Sequence, residues 1–402
     1  MAGKILLIGT FDTKQEEFSF VKGIISSNGG EVVLMNIGIL GDPTIAVDIS
    51  AEKVAKAGES TLQELRDEKD REHALDVMTT GAKKLTLEGY QNERFGAILS
   101  LGGGSGTAMA TAAMRELPIG VPKLMVSSVA SGDISPYVDI KDITFMYSVA
   151  DISGLNRLSR RILRNAAAAI CGMVDQPKEE QEDKPLLAAT MFGVTTPCVA
   201  AVRKKLEAQG YEMVVFHATG TGGRAMEAMI EDGFISGVAD LTTTEWCDQV
   251  VGGVLSAGPN RLEAAGQAGI PQVVSCGALD IVNFHAFDTV PEKFKSRNLY
   301  RHTPQVTLMR TTPEECKEIG KRIAEKLNNA KGPTMLMLPL KGVSMLDKKG
   351  EPFDDPKANK ALFNALRKHT ESHVKLRELD YHINDAEFAE AVANELLTNL
   401  NN

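Results

Sequence analysis

An apolar run, Ile98 to Leu101, leads straight into Gly102-Gly103-Gly104-Ser105-Gly106-Thr107 and then into an alanine- and methionine-rich segment ending at Met114. The run has strand length and no polar alternation, which predicts a strand buried on both faces. The segment after the glycines has high helix propensity. Strand, glycine turn and helix start together form an anion-binding device. Glycine lets the backbone turn tightly and approach a ligand, and free N–H groups of the first helical turn face negative charge. Ser105 and Thr107 are each expected to add a hydroxyl donor. No Lys-Ser/Thr pair closes the loop, so it is not a P-loop, and the G-x-G-x-x-G spacing is not met. Four glycines in the five positions Gly102–Gly106 exceed what a turn needs. A phosphate or carboxylate is therefore expected here.

A chain of 402 residues is too long for one typical core and predicts two domains. The formal net charge of −9 argues against a nonspecific nucleic-acid binder, which needs a basic face for phosphates. Five cysteines, at 171, 198, 247, 276 and 316, include no C-x-x-C pair, so neither a disulfide framework nor a zinc site is indicated. No run is long enough to span a membrane, and the N-terminus enters a strand at once, so a cytoplasmic location is expected.

Read in order, Lys4–Lys14 (KILLIGTFDTK) is a buried first strand ending at Gly9-Thr10, a loop carrying Asp12, and a helix from about Lys14. Ligands of open parallel sheets sit at the carboxyl ends of strands, which is where Thr10 and Asp12 fall. A second strand, Glu31–Ile39, ends with Asn36 and Gly38 facing the same kind of cleft. A long amphipathic helix follows near Arg71–Gln91, then the glycine-loop strand and strands at Lys123–Ala130 and Ile143–Val149. Asp133 and Asp151 stand at further strand ends, where a carboxylate either caps a helix or lines a cleft. Strands alternating with helices predict parallel, helix-covered sheets. The charged, proline-bounded run 175–185 is read as a linker between an N-terminal domain, 1–178, and a C-terminal domain, 185–402.

The second half repeats the pattern. Leu186–Thr196 joins a strand to threonines opening a helix, and Tyr211–Ile230 joins another strand to a glycine loop. There Gly220-Thr221-Gly222-Gly223-Arg224-Ala225 satisfies G-x-G-x-x-A, with Asp240 about where a ribose-binding acid would fall. Taken literally, this is a nicotinamide or flavin site, although it does not follow a domain's first strand. Cys276 is a candidate nucleophile with His285 as base, against the plainer reading of a small buried thiol. Arg297, Arg301, His302 and Arg310 make the densest basic loop, either an anion clamp or a solvated surface. His369 and His373 stand at metal-ligand spacing on one expected helix face, without an evident third ligand.

Taken together, GTFDTK, LGGGSGT, VADISGLN, FHATGTGGRAME, DLTTTE, CGALDIVNF, KGVSMLD and HIND resemble the family named for the ATP-binding N-terminal domain of a tomato mosaic virus resistance protein. The resemblance runs from Lys4 to about Leu397. It implies two Rossmann-like α/β domains, an ATP-type nucleotide with Mg²⁺, and a homodimer. On that basis the phosphates are expected at Gly102–Thr107, with Thr10 and Asp12 completing the cleft and Gly220–Gly223 facing it from the second domain. Asp12 or Asp133 would reach Mg²⁺ through water, and Arg224 or the Arg297–Arg310 group would supply positive charge. Asp12, Asp133, Asp151, Glu245, Cys276 and His285 are the candidates for chemistry. A catalyst using ATP and a non-catalytic, nucleotide-gated binding module are both open, with an NAD-dependent oxidoreductase as the further alternative.

Overall fold

In the first unit, residues of β1 (Ile5–Gly9) alternate between two apolar layers, as the two-residue period of a strand requires. Ile5 and Leu7 pack with Phe18, Leu163 and Ile170 on one side, and Leu6 and Ile8 with Met78, Met109 and Met114 on the other. All four are at most 1% exposed, which is why the segment reads as a continuous apolar run. The structure, a computed structural model, describes residues 3–175 and 184–401, and the chain divides into units 1–180 and 181–402. Positions 176–183 of the charged run lie outside the described residues.

After β1 come α1 (Phe11–Ser27), β2 (Val32–Asn36), α2 (Ala51–Ala57), α3 (Leu62–Glu68), α4 (Arg71–Gln91), β3 (Ala97–Gly102), α5 (Gly104–Arg115), β4 (Lys123–Ser127), α6 (Ser135–Val138), β5 (Thr144–Tyr147) and α7 (Arg157–Val174). The strands form one parallel sheet in the order β2-β1-β3-β4-β5. α1 and α7 pack together, as do α4 with α5 and α2 with α4, so helices cover both faces.

The second unit contains β6 (Leu186–Met191), α8 (Thr196–Glu207), β7 (Glu212–His217), α9 (Thr221–Glu231), β8 (Gly237–Thr242), α10 (Glu245–Val251), α11 (Ala264–Ala268) and β9 (Gln272–Gly277). It continues through β10 (Ile281–Phe284), β11 (Leu299–Thr303), β12 (Val306–Arg310), α12 (Pro313–Leu327), β13 (Thr334–Pro339), α13 (Pro356–His369), β14 (Lys375–Leu379) and α14 (Ala386–Leu400). Six strands make a parallel sheet, β14-β13-β9-β8-β6-β7. Counted from the start of each unit, leaving β10–β12 aside, both main sheets begin 2-1-3-4-5, and the second adds a sixth strand. The repeated sequence pattern is thus a repeated topology.

Two expectations are corrected at this level. The basic segment Arg297–Thr312 contains an antiparallel hairpin, β11 with β12, in a small three-stranded sheet completed by β10. His369 and His373 do not share a helix face, because α13 ends at His369 and Thr370 is extended (φ −75°, ψ 125°). Among the described residues no helix is long and apolar enough to cross a membrane.

Several helices with polar N-termini are closed by their own side chains. Asp70 accepts from Glu72 and His73 N–H at the start of α4, Asp355 from Lys357 and Ala358 at α13, and Thr312 forms a capping box with Glu315 at α12. α5 begins at Gly103 with no side-chain cap.

Candidate functional site

β1 and β3 are neighbours, but the chain leaves β1 toward β2 and β3 toward β4. That reversal opens a crevice at their carboxyl ends, the place where ligands of this sheet order bind. A cavity of about 560 Å³ lies there, lined by Thr10, Asp12 and Lys14 after β1, Gly38 and Leu40 after β2, and Gly103–Gly106 after β3. Arg71, Asp151 and an apolar wall of Leu75, Met78 and Met109 complete it.

The first intrahelical bond of α5 runs from Thr107 N–H to Gly103 O at 2.8 Å. The N–H groups of Gly104, Ser105 and Gly106 are therefore first-turn donors with no intrahelical partner. A Cβ at Gly104 or Gly106 would meet no neighbouring atom within 4 Å, and neither residue has a positive φ. Internal packing does not require glycine at either position. Glycine instead leaves the cradle bare toward the cavity. Ser105 lines the cavity and its Oγ accepts from Arg71 Nη2 at 3.1 Å. Arg71 makes no ion pair among the described residues, so its charge stands over the cradle unneutralised. Thr107 is a correction to the expected hydroxyl pair: it is fully buried, and its Oγ1 shares a 2.7 Å hydrogen bond with Ser127 Oγ.

Asp12 is placed by the exit from β2. Asn36 Oδ1 accepts from Phe11 N and from Gly38 N, both at 3.0 Å, tying the two strand ends together. A Cβ on Gly38 would lie 2.2 Å from Asp12 Oδ1, so only glycine admits the carboxylate. Asp12 Oδ2 accepts from Leu40 N at 2.7 Å, while Oδ1 is buried with no hydrogen-bond partner. Thr10 caps α1 only through its backbone, and its Oγ1 accepts from Thr13 Oγ1 at 3.0 Å. The helix bends at Lys14 (φ −131°, ψ 27°), whose Nζ donates to Ile152 O. Asp151 is exposed at the rim, with Oδ1 accepting from Ile152 N.

Within the first unit, Asp133 does not line this cavity. Asp133 is exposed and accepts from the Ser135 hydroxyl (2.7 Å) and N–H (2.9 Å), bonds that hold its carboxyl below the usual range. In the second unit the fingerprint Gly220–Gly223 is filled from within. Glu245 Oε1 accepts from Gly220 N (2.8 Å) and Gly223 N (3.0 Å), and its Oε2 accepts from Arg261 Nε (2.7 Å). Arg261 also grips Asp240, through Nη1 (2.5 Å) and Nη2 (2.7 Å), and Glu227 at 3.1 Å. Glu245, Asp240 and Arg261 are each no more than 2% exposed. The supposed ribose acid and the supposed phosphate amides are thus partners inside the fold. Packing explains these glycines: Gly220 has φ +85°, and a Cβ on Gly222 would sit 1.8 Å from His217 O and on Gly223 2.2 Å from Glu245 Oε2. Thr221 and Arg224 are exposed on the first turn of α9.

Cys276 is 1% exposed, burial pushes its thiol up to about 12, and His285 lies at the surface, so no nucleophile–base pair exists. Arg297 is paired with Glu315 at 2.8 Å, and Arg310 is buried against Phe353 O, Asn359 and Asp347. Arg301 stacks over the Phe287 ring at 3.9 Å. The basic segment therefore spends much of its charge inside its own unit.

Two parallel sheets of matching strand order, one with an open glycine cradle at its switch point and one with a sealed glycine loop, define a doubly wound, two-unit α/β protein. Residues 3–179 match the N-terminal domain, and residues 184–400 the C-terminal domain, of the uncharacterised protein family UPF0261, and the chain belongs to that family. A UPF0261 protein of Clostridium tetani is 53% identical over 399 residues, 99% of either chain. The ToMV resistance protein Tm-1(GCR237) of Solanum lycopersicum is 38% identical over 419 residues, covering 98% of this chain and 55% of its own length. The resemblance drawn from the motifs is thereby confirmed. Among solved structures, a UDP-GlcNAc 2-epimerase from Neisseria meningitidis aligns over 98% of this chain and all of its own at 10% identity. Its TM-score of 0.21 carries no argument about ligand or reaction.

The two glycine loops should respond oppositely to one methyl group. Gly222→Ala forces the backbone of His217 to move and should destabilise the protein by about 1–3 kcal/mol or more. Gly106→Ala should leave stability unchanged or raise it by up to about 1 kcal/mol. Thermal unfolding of both variants checks this, and equal losses would remove the distinction. All five thiols are buried, with Cys198 and Cys276 pushed up to about 12. Titration with an aromatic disulfide at neutral pH should therefore find essentially no reactive thiol until denaturant is added.

Proposed function

We propose that the first unit binds a nucleotide of the ATP type together with Mg²⁺, in the cavity at the β1/β3 switch point. The observation that carries this reading is the uncapped start of α5, whose bare glycines face that cavity. Backbone N–H groups at a helix start, with a cation at their side, suit a phosphate chain, and Arg71 over Ser105 supplies the cation. The apolar wall of Met78, Met109 and Leu75 offers a surface for a planar base, and thioether sulfur contacts aromatic rings favourably.

The residues present fit a magnesium ion that arrives with the phosphates. Asp12 lines the same cavity as the anion cradle, and its Oδ1, packed against Gly38, has no hydrogen-bond partner in the protein. Placing a phosphate chain beside it repels unless a cation lies between. Mg²⁺ at phosphate sites takes one or two carboxylates, the phosphates and several waters, and Asp12 supplies the one carboxylate needed. When bound, the ion would neutralise phosphate charge. Among the described residues no cluster of three or more His, Cys, Asp or Glu could hold a metal alone. The chain's own groups bind and orient: amides of Gly104–Gly106 on the anion, Arg71 above it, Lys14 and Asp151 at the rim. No histidine or cysteine lines the cavity, so any phosphoryl transfer would rest on Asp12 or Asp151 as base.

Titration calorimetry should find Mg²⁺·ATP binding in the micromolar-to-millimolar range and no measurable NAD binding. Tighter binding of NAD would reverse the assignment. Arg71→Ala should weaken ATP by about 1.5–3 kcal/mol, the range for charge-assisted hydrogen bonds. Asp12→Asn keeps the acceptor for Leu40 N–H but loses the charge. It should abolish the gain in ATP affinity that Mg²⁺ gives the wild type, and an undiminished Mg²⁺ effect would dismiss Asp12 from that role.

A further inference from the structure

We propose that the second unit carries its own binding site for a small polyanion bearing phosphate or carboxylate groups. It lies in the cleft between the loop after β13, one face of α13 and the turn before α14. The cleft has a volume of about 690 Å³, within the range of small-molecule sites. It lies at the carboxyl ends of the adjacent parallel strands β13 and β14, the edge of such sheets where ligands bind. Lys341, Lys348 and Lys349 enter it from the loop, and Lys360 and Arg367 from α13. Lys360, Phe363 and Arg367 are spaced i, i+3, i+7 and so share a face, with buried Phe363 as an apolar wall between two cations.

Five cations and three carboxylates line this cleft, and three of the cations are not ion-paired among the described residues. Lys348, Lys349 and Lys360 make no ion pair among the described residues. Lys341 and Arg367 are each held by one rim acid, Asp380 at 3.0 Å and Glu378. Two of the acids that line the cleft each accept one backbone N–H. Asp354 accepts from Gly350 N and Asp385 from His382 N, both at 2.8 Å. Asp347 is consumed beneath the surface by Val343 N (2.9 Å), Asn359 Nδ2 (2.7 Å) and Arg310.

The construction of the loop is the second argument. Exposed lysines need no support, yet this loop is fixed from several sides. Gly342 has φ +130°, and a Cβ there would lie 2.0 Å from Asp347 O. Buried Ser344 donates from Oγ to Asp280 at 2.7 Å and accepts from Leu346 N and Asp347 N. Its carbonyl accepts from His382 Nε2 at 2.8 Å, while His382 Nδ1 accepts from Asn384 N at 3.1 Å. That pattern sets the neutral tautomer and makes His382 a brace. These buried hydrogen bonds fix the backbone of the loop from which Lys348 and Lys349 project, while Asp280 Oδ1 is left buried without a partner. Several ammonium groups gathered around one concave surface suit compact anionic groups, since lysine acts as a point charge toward phosphate.

The test uses the full chain and inorganic pyrophosphate at physiological ionic strength, about 0.15 M. Hydrogen exchange should slow in the loop 341–350 and in 356–367. The variant with Lys348→Ala, Lys349→Ala and Lys360→Ala should lose that protection and bind at least about tenfold more weakly at this site. Any response of residues 103–107 should be the same in both proteins, which separates this site from the first unit's. No protection at 341–367 in the wild type, or unchanged protection in the triple variant, would overturn the proposal. So would binding seen only at low salt, since that is diffuse screening by surface lysines. A carboxylate ligand is distinguished by repeating the titration with citrate. Tighter binding of citrate than of pyrophosphate assigns the carboxylate class within the same site.

Discussion

A parallel sheet brings the starts of its following helices to one edge, and each start carries unpaired N–H groups that need an acceptor. This protein meets that demand in three ways. Asp70, Asp355 and Thr312 close their helices locally. Glu245 closes the α9 loop from 22 to 25 residues away in sequence, with Arg261 behind it. α5 has no side-chain cap and opens on a cavity where the strand order of its own sheet reverses. The functional reading follows from that unequal treatment of otherwise similar helix starts.

Much of the architecture was legible because its signals are local. The continuous apolar runs of β1 and β3, the Arg71–Gln91 helix and the strand–turn–helix restarts in the second half all follow from hydrophobic period and glycine placement. The β11–β12 hairpin was not, because Leu299–Thr303 is an exposed, mostly polar edge strand with little period to detect. Thr10, Asp12 and Gly103–Gly106 were legible as strand-end residues. Arg71 was not, since a lone arginine at a helix start carries no mark of the serine 34 positions later that it meets.

The G-x-G-x-x-A segment shows where pattern reading stops. The spacing reports a backbone able to present amides, and the structure has that backbone. It does not report which acceptor fills it, and here the acceptor is a glutamate of the next helix. Asp133 makes the same point from the other side. A carboxylate at a strand end is equally suited to a cleft or to the next turn, and Ser135 two residues on decides it.

The sealed loop has a consequence for concentration. An acceptor free in solution fills a helix start only as far as its concentration allows. Glu245 is covalently tethered, and a tethered acceptor acts at an effective concentration that dilution does not change. Arg261 and the surrounding burial hold it in that position. The second unit's loop therefore carries its acceptor within the chain, whatever the concentration of solutes around it. Of the two glycine loops, only the first leaves its amides open toward a cavity.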